Sequence, residues 1–126
     1  GCRRGIGQQA MEEAFAALLA QSGLCAEAFY KVCSIDLKRD EPGLRAFCAA
    51  HGFAFETFSA AQLAAVAGRF SSSGFVQSVT GVDNVCERSA VLGSGGTLYC
   101  KKQAGGGVTM AAAMAPFAPD WRWQDE

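Results

Sequence analysis

Residues 29–51 read FYKVCSIDLKRDEPGLRAFCAAH, and their order decides the architecture. Phe29 to Ile35 carries Phe29, Tyr30, Val32 and Ile35, the length and the β-branched and aromatic content of a buried strand ending at Asp36. Asp40-Glu41-Pro42-Gly43 follows, with Asp40 placed to cap a helix whose first turn holds the proline. Leu44, Phe47 and Cys48 then supply a buried helical stripe up to His51-Gly52. A strand feeding directly into a helix is half of a βαβ unit, and the same alternation continues on both sides.

Upstream, Met11, Phe15, Leu18 and Leu19 fall on one face of an amphipathic helix from Gln8 to Gln21, stopped by Ser22-Gly23. Downstream, Phe53 to Phe58 has the length of a strand, and Ser59-Ala60-Ala61-Gln62 matches a capping box opening a helix to about Val66. The segment 67–79, with Ser71-Ser72-Ser73-Gly74, lacks periodicity and reads as a long loop with a helical turn near Phe75 and Val76. Asn84-Val85-Cys86-Glu87 is a second capping box, for a helix toward Leu92 that stops at Gly93-Ser94-Gly95-Gly96. Thr97 to Lys101 and Val108 to Met114 read as strands joined by a turn around Gly105-Gly106-Gly107. The order predicts one α/β domain over residues 1–115 and a tail over 116–126. The opening Gly1-Cys2-Arg3-Arg4-Gly5-Ile6-Gly7 is a glycine-rich turn leading into a helix, the kind that comes off a strand, so a strand upstream of Gly1 is expected.

Composition narrows the function classes. With 126 residues, half of them hydrophobic and 18% charged, the chain fits one compact domain and neither a disordered nor a fibrous protein. A net charge of −1 offers no overall field for nucleic acid or an anionic membrane. The apolar stretches are broken by charges well short of the ~20 residues a spanning helix needs, so a soluble protein is expected. The six cysteines show no CxxC spacing and several sit among apolar neighbours, which points to reduced thiols and a cytoplasmic setting. With His51 as the lone histidine and no clustered cysteines, no protein-held metal is expected.

No G-x-S-x-G elbow, no second histidine and no P-loop occurs, which argues against serine-hydrolase and nucleotide-hydrolysing chemistry. His51, at a helix end, is read as complementing the dipole rather than as a base. Arg3 and Arg4 are different, because a glycine-rich loop at a helix start presents free backbone N–H groups beside two guanidinium forks suited to carboxylate or phosphate. Lys38-Arg39 and Lys101-Lys102 are further basic pairs, and Asp36 and Lys38 follow the carboxyl end of a strand, the usual ligand edge of open sheets. Among the acids Asp36, Asp40, Glu41 and Glu87, capping explains Asp40 and Glu87, whereas Asp36 has no local role.

Five blocks occur in an order that resembles a known family: Arg3-Arg4 within GCRRG, the run Ile35 to Leu44, Phe58 to Leu63, Gly81 with Val85-Cys86-Glu87, and Lys101 with Val108 to Ala111. They are similar to the cobalamin-biosynthesis family of CobE and the CbiG C-terminal domain. The resemblance implies a three-layer α/β/α domain with a mixed, mostly parallel sheet, acting on corrinoid intermediates. In that family CbiG opens the lactone of a cobalt-precorrin with loss of acetaldehyde, and CobE is the stand-alone form. A precorrin is a flat macrocycle fringed with carboxylates, so Arg3, Arg4, Lys38 and Lys101 are expected at its rim and Phe70 or Phe75 over its face, with Asp36, Gly81 and Thr109 completing the ligand-binding set. The leading expectation is a protein that binds precorrin or corrinoid intermediates as carrier or pathway helper, with the tetrapyrrole as ligand and no cofactor bound directly. One alternative is a lactone hydrolase with Asp36 or Glu87 activating water. The other is a non-catalytic module supporting another enzyme of the pathway.

Overall fold

The structure is a computed structural model and describes residues 1–66 and 84–116. In chain order the described elements are α1 (Gln8–Ser22), β1 (Lys31–Ile35), α2 (Pro42–His51), β2 (Ala54–Phe58), α3 (Ala60–Ala64), α4 (Val85–Ser94), β3 (Thr97–Gly105) and β4 (Val108–Met114). Short 3-10 turns at Ala26–Ala28 and Asp36–Lys38 flank β1. The loop reading of residues 67–79, with Phe70, Phe75 and Val76, together with Gly81 and the tail beyond 116, lies outside the described residues.

The mixture of helices and strands in one small domain is as the sequence reading expected. The sheet differs. Among the described residues β1 pairs with β2 in parallel, from Lys31 opposite Ala54 to Ile35 opposite Phe58, and β3 pairs with β4 in antiparallel. The described strands thus form two two-stranded sheets, and the single mixed sheet of a three-layer sandwich is not seen among the described residues. Cys2 adds a short antiparallel bridge to Val108 beside β4.

Two apolar clusters hold these elements. The larger joins Met11, Phe15 and Leu18 of α1 to Leu44, Phe47 and Cys48 of α2 and to Val108 and Ala112 of β4. Phe15 meets Phe29, Phe47 and Phe53 edge-on at centroid distances of 5.5, 5.4 and 5.7 Å, the T-shaped geometry that the ring quadrupoles favour. Burying a side chain such as Phe47 contributes roughly 1.5–3 kcal/mol. The smaller cluster packs Ile35 and Phe58, at the ends of β1 and β2, against Leu63 and Val85.

Several boundaries move for identifiable reasons. The strand expected from Phe29 starts at Lys31, because the Phe29 N–H closes the preceding turn onto the Ala26 carbonyl. Asp40 does not cap α2: Glu41 occupies that position, Pro42 opens the helix, and Asp40 is an exposed partner of Arg45 at 3.9 Å. The helix at Val85 stops within the expected Gly93-Ser94-Gly95-Gly96 stretch, running through Ser94 and ending on Gly95 in the left-handed region. Gly93 lies inside the helix, where a Cβ would lie 2.2 Å from the Cys33 sulfur, so glycine here permits close packing of α4 on β1. The third helix ends at Ala64, short of Val66, and β3 reaches Gly105, well beyond Lys101. Gly106 and Gly107, both at positive φ, make the hairpin turn to β4.

Candidate functional site

The opening loop is a built structure rather than a loose end. Arg3 donates its backbone N–H to the Gly107 carbonyl at 2.9 Å, and its guanidinium lies against Gly107, where an added Cβ would come within 2.3 Å of Nε. Gly5 takes a positive φ of 77° and donates its N–H to Glu41 Oε1 at 2.7 Å, tying the loop to the first turn of α2. Gly43, also in that turn, lets the two segments touch: a Cβ would sit 2.1 Å from the Ile6 carbonyl oxygen. The starts of α1 and α2 therefore meet at the carboxyl end of β1, with the Arg3-Arg4-Gly5 turn above them.

Arg3 and Arg4 lie on this turn, and Lys38 closes the 3-10 turn that follows β1. Arg3 and Arg4 are exposed, and Lys38 is close enough to Gly1 and Cys2 for its charge to act on both. Burial pushes the Cys2 thiol up from its ordinary range, while the Gly1 ammonium and then Lys38 pull it the other way. Among the described residues none of Arg3, Arg4, Lys38 or Lys101 is ion-paired to a carboxylate, which leaves their charge available to an anionic ligand. Lys101 sits exposed on β3, on the hairpin that Arg3 grips, but no described contact joins it to the arginines. Thr109 faces inward and has structural partners: its backbone N–H donates to the Gly1 carbonyl at 2.7 Å, and its hydroxyl reaches the same oxygen at 3.4 Å.

The candidate acids are committed elsewhere. Asp36 opens the turn after β1 and pairs with Arg39 at 3.4 Å on the surface. Glu87 is 1% exposed, with Oε2 accepting from the Lys102 backbone N–H at 2.6 Å and Oε1 accepting from the Asn84 side-chain amide. Asn84, in the left-handed region, caps α4 by accepting from the Glu87 N–H at 3.2 Å, so the N-cap half of the expected capping box holds, while the Glu87 carboxylate takes the Asn84 side-chain amide and pins the start of α4 to β3. His51 bonds Glu12 at 2.6 Å and stacks on Phe53, joining α1 to α2 rather than serving as a base; that hydrogen bond holds the Glu12 carboxyl below its usual range.

Sequence reasoning missed Glu41 as a positioning residue. Its bond to Gly5 spans 36 residues, so no shared local pattern announces it. Among the described residues no three His, Cys, Asp or Glu side chains converge as a metal site, and no helix is long and apolar enough to cross a membrane. A cavity of about 200 Å³ opens between β1 and β4; its lining is mainly apolar, and it is smaller than the ~300–1,000 Å³ usual for ligand pockets.

Residues 1–113 match the family described as Cobalamin synthesis G C-terminus. The chain belongs to that family. It is 31% identical over 118 residues to a cobalt-precorrin-5A hydrolase of Priestia megaterium, covering 93% of this chain and 31% of the relative. A cobalt-precorrin-5A hydrolase of Salmonella typhimurium is 32% identical over 115 residues, covering 91% and 33%. The chain thus spans about a third of the length of these curated relatives. In structure it is similar to CobE, a protein from the cobalamin biosynthetic pathway, with a TM-score of 0.82 and 28% identity over 88% of this chain and 83% of that one. It is also similar to the cobalamin biosynthesis protein chiG from Agrobacterium tumefaciens, with a TM-score of 0.70 and 25% identity over 91% and 94%. The family read from the ordered motifs is therefore the family found, and its GCRRG opening is the loop that carries Arg3 and Arg4.

Proposed function

We propose that this cobalamin synthesis G C-terminus domain binds a carboxylate-fringed tetrapyrrole intermediate of cobalamin biosynthesis at the Arg3, Arg4 and Lys38 edge, as a carrier or pathway helper in the cytoplasm. The observation that carries this reading is the pair of exposed arginines, without an ion-pair partner among the described residues, on a loop pinned at both sides, to Gly107 and to Glu41. Pinning the loop before binding lowers the ordering cost of two guanidinium contacts to the macrocycle rim. Each exposed contact is worth only about 0.2–1 kcal/mol, so several must act together in a partly dry cleft. In this reading the tetrapyrrole is the ligand, no cofactor is held by the protein itself, and Lys101 is a secondary contact from the hairpin.

The experiment is a binding titration of Arg3→Ala combined with Arg4→Ala. Affinity for a precorrin falls at least about tenfold, which corresponds to ~1.4 kcal/mol, with the fold intact by circular dichroism. Equal affinity in the double variant overturns the assignment.

A second reading is hydrolysis of the ring lactone with release of acetaldehyde, favoured by the activity named for the two curated relatives. It requires a carboxylate free to activate water, and Asp36, partly exposed and held only by a surface ion pair, suits that role better than the buried Glu87. Acetaldehyde released by the purified domain and lost in Asp36→Asn supports it; no acetaldehyde leaves binding as the function. If the domain neither binds nor hydrolyses alone but co-purifies with a pathway enzyme, its role is that of a supporting module.

A further inference from the structure

The lone histidine of the chain stands where two helices meet. His51 is the last residue of α2, and its Nε2–H donates to Glu12 Oε1 on α1 at 2.6 Å. Glu12 is itself steadied from behind, since its Oε2 accepts from the Gln8 side-chain amide at 3.3 Å. The imidazole lies among three rings: stacked on Phe53 at a centroid distance of 5.2 Å, tilted against Phe47 at 4.8 Å and edge-on to Phe15 at 5.4 Å. Both side chains keep some contact with water, 26% for His51 and 30% for Glu12, so protons reach them without unfolding.

Three attractions act here only while the ring is charged. A carboxylate draws an imidazolium, aromatic rings within about 6 Å draw a cation, and the C-terminal end of a helix carries partial negative charge. A neutral imidazole protonated at Nε2 still donates the hydrogen bond, but without its charge. The other charged side chains on the elements packed around His51 turn elsewhere. On α1, Glu13 borders the hairpin side beside Gln103; on α2, Arg45 reaches Asp40 and the Arg39 carbonyl; on β2, Glu56 pairs with Lys31. Cys48, the other titratable group of α2, is buried in the core.

We propose that His51 and Glu12 form a pH-sensitive clasp between α1 and α2, closed as an ion pair while the imidazole is protonated and reduced to a neutral-donor hydrogen bond once it is not. Imidazole is the side chain whose charge ordinarily changes between about pH 5 and 8. The acid limit is set by the other partner. The hydrogen bond from His51 holds the Glu12 carboxyl below its ordinary 4.5, so the carboxylate's contribution is complete above 4.5 and is lost as pH falls beneath that value. The clasp is therefore tightest in mildly acidic solution and weakens on both sides. It closes the same two helices whose starts hold the Arg3-Arg4 loop: Glu12 lies one turn from Gln8, and Gly43 of α2 comes up against Ile6 and Gln8. A change in pH near neutrality is thereby felt at the helix pair that carries the loop.

The test is a double-variant cycle with Glu12→Gln, His51→Gln and the two together, each protein followed by urea unfolding at about pH 6 and about pH 8.5. Glu12→Gln keeps a hydrogen-bond acceptor of similar size and removes the charge. The expected coupling multiplies the folding constant at least about threefold at the lower pH and less than about 1.5-fold at the higher. Changes common to all four proteins, thiol ionisation included, cancel in the cycle. Coupling of the same size at both pH values overturns the proposal, because a neutral hydrogen bond would then account for it. Absence of coupling at the lower pH overturns it too. A second readout needs no variant: the ring signals of the single histidine follow its protonation by NMR, and the Glu12 carboxyl carbon signal is expected to move with the same midpoint. A Glu12 signal that ignores the imidazole's titration contradicts the clasp. None of these readouts involves a tetrapyrrole, so failure here is distinguishable from failure of the binding reading.

Discussion

Gly43→Ala probes the joint between the two helix starts that carries the arginine loop. In an ordinary helical position Gly→Ala stabilises by about 0.5–1 kcal/mol, because alanine loses less backbone entropy. Here the new Cβ would lie 2.1 Å from the Ile6 carbonyl oxygen, 3.0 Å from the Gly7 carbonyl carbon and 3.1 Å from the Gln8 nitrogen, all backbone atoms that cannot rotate away. Reaching even 3.0 Å from the oxygen requires the loop to retreat by about 0.9 Å. A comparable movement of Gly5 from Glu41 would stretch their 2.7 Å hydrogen bond beyond effective range. Overpacking costs roughly 1–3 kcal/mol and a hydrogen bond to a charged group about 1.5–3, the latter reduced by its exposure. Against the helical gain, the net is a destabilisation of about 2–4 kcal/mol. Urea unfolding followed by far-ultraviolet circular dichroism measures it, with Gly7→Ala as control, since a Cβ there meets nothing within 4 Å. A Gly43→Ala protein as stable as the parent, or more stable, refutes the close approach.

Other outcomes follow from the same contacts. Ser59→Ala removes the side chain that accepts from Gln62 in the capping box and lowers stability by about 1 kcal/mol, read from the urea midpoint. Burial raises the Cys33 and Cys48 thiols from 9.0 to about 11, so the unfolded chain ionises first; stability from these groups is complete below 9.0 and is lost as pH rises toward about 11, which a pH series of urea midpoints follows. For the same reason exposed Cys25 is alkylated at least about tenfold faster than buried Cys48 in the native protein, as read by peptide mass spectrometry.

What the sequence showed clearly was carried by local chemistry. The run from Ile35 to Leu44 marks a strand end and a helix start within ten residues, Ser59 and Gln62 form both hydrogen bonds of a capping box, and Gly106-Gly107 supplies the two positive φ values of a hairpin turn. What it obscured depends on distance. Two acids precede Pro42, and nothing local says that Glu41 takes the cap position and binds Gly5, 36 residues away, while Asp40 points to solvent. The helix stop expected over Gly93-Ser94-Gly95-Gly96 falls on Gly95, and only the fold shows that Gly93 admits the Cys33 side chain. Glu87 reads as a capping residue, and only the fold shows that its second oxygen holds the Lys102 amide. The basic residues were visible as pairs, and the fold adds that the loop carrying Arg3 and Arg4 is held by the Gly107 carbonyl on the hairpin and by Glu41 at the start of α2.

The measurement that tests the account most directly is an ultraviolet–visible titration of the purified domain with precorrin, with and without cobalt, run beside the Arg3→Ala and Arg4→Ala double variant and with acetaldehyde monitored. The account predicts a saturable spectral shift that weakens at least about tenfold in the variant while no acetaldehyde is released. A shift that survives loss of both arginines, or no shift with any intermediate, contradicts it.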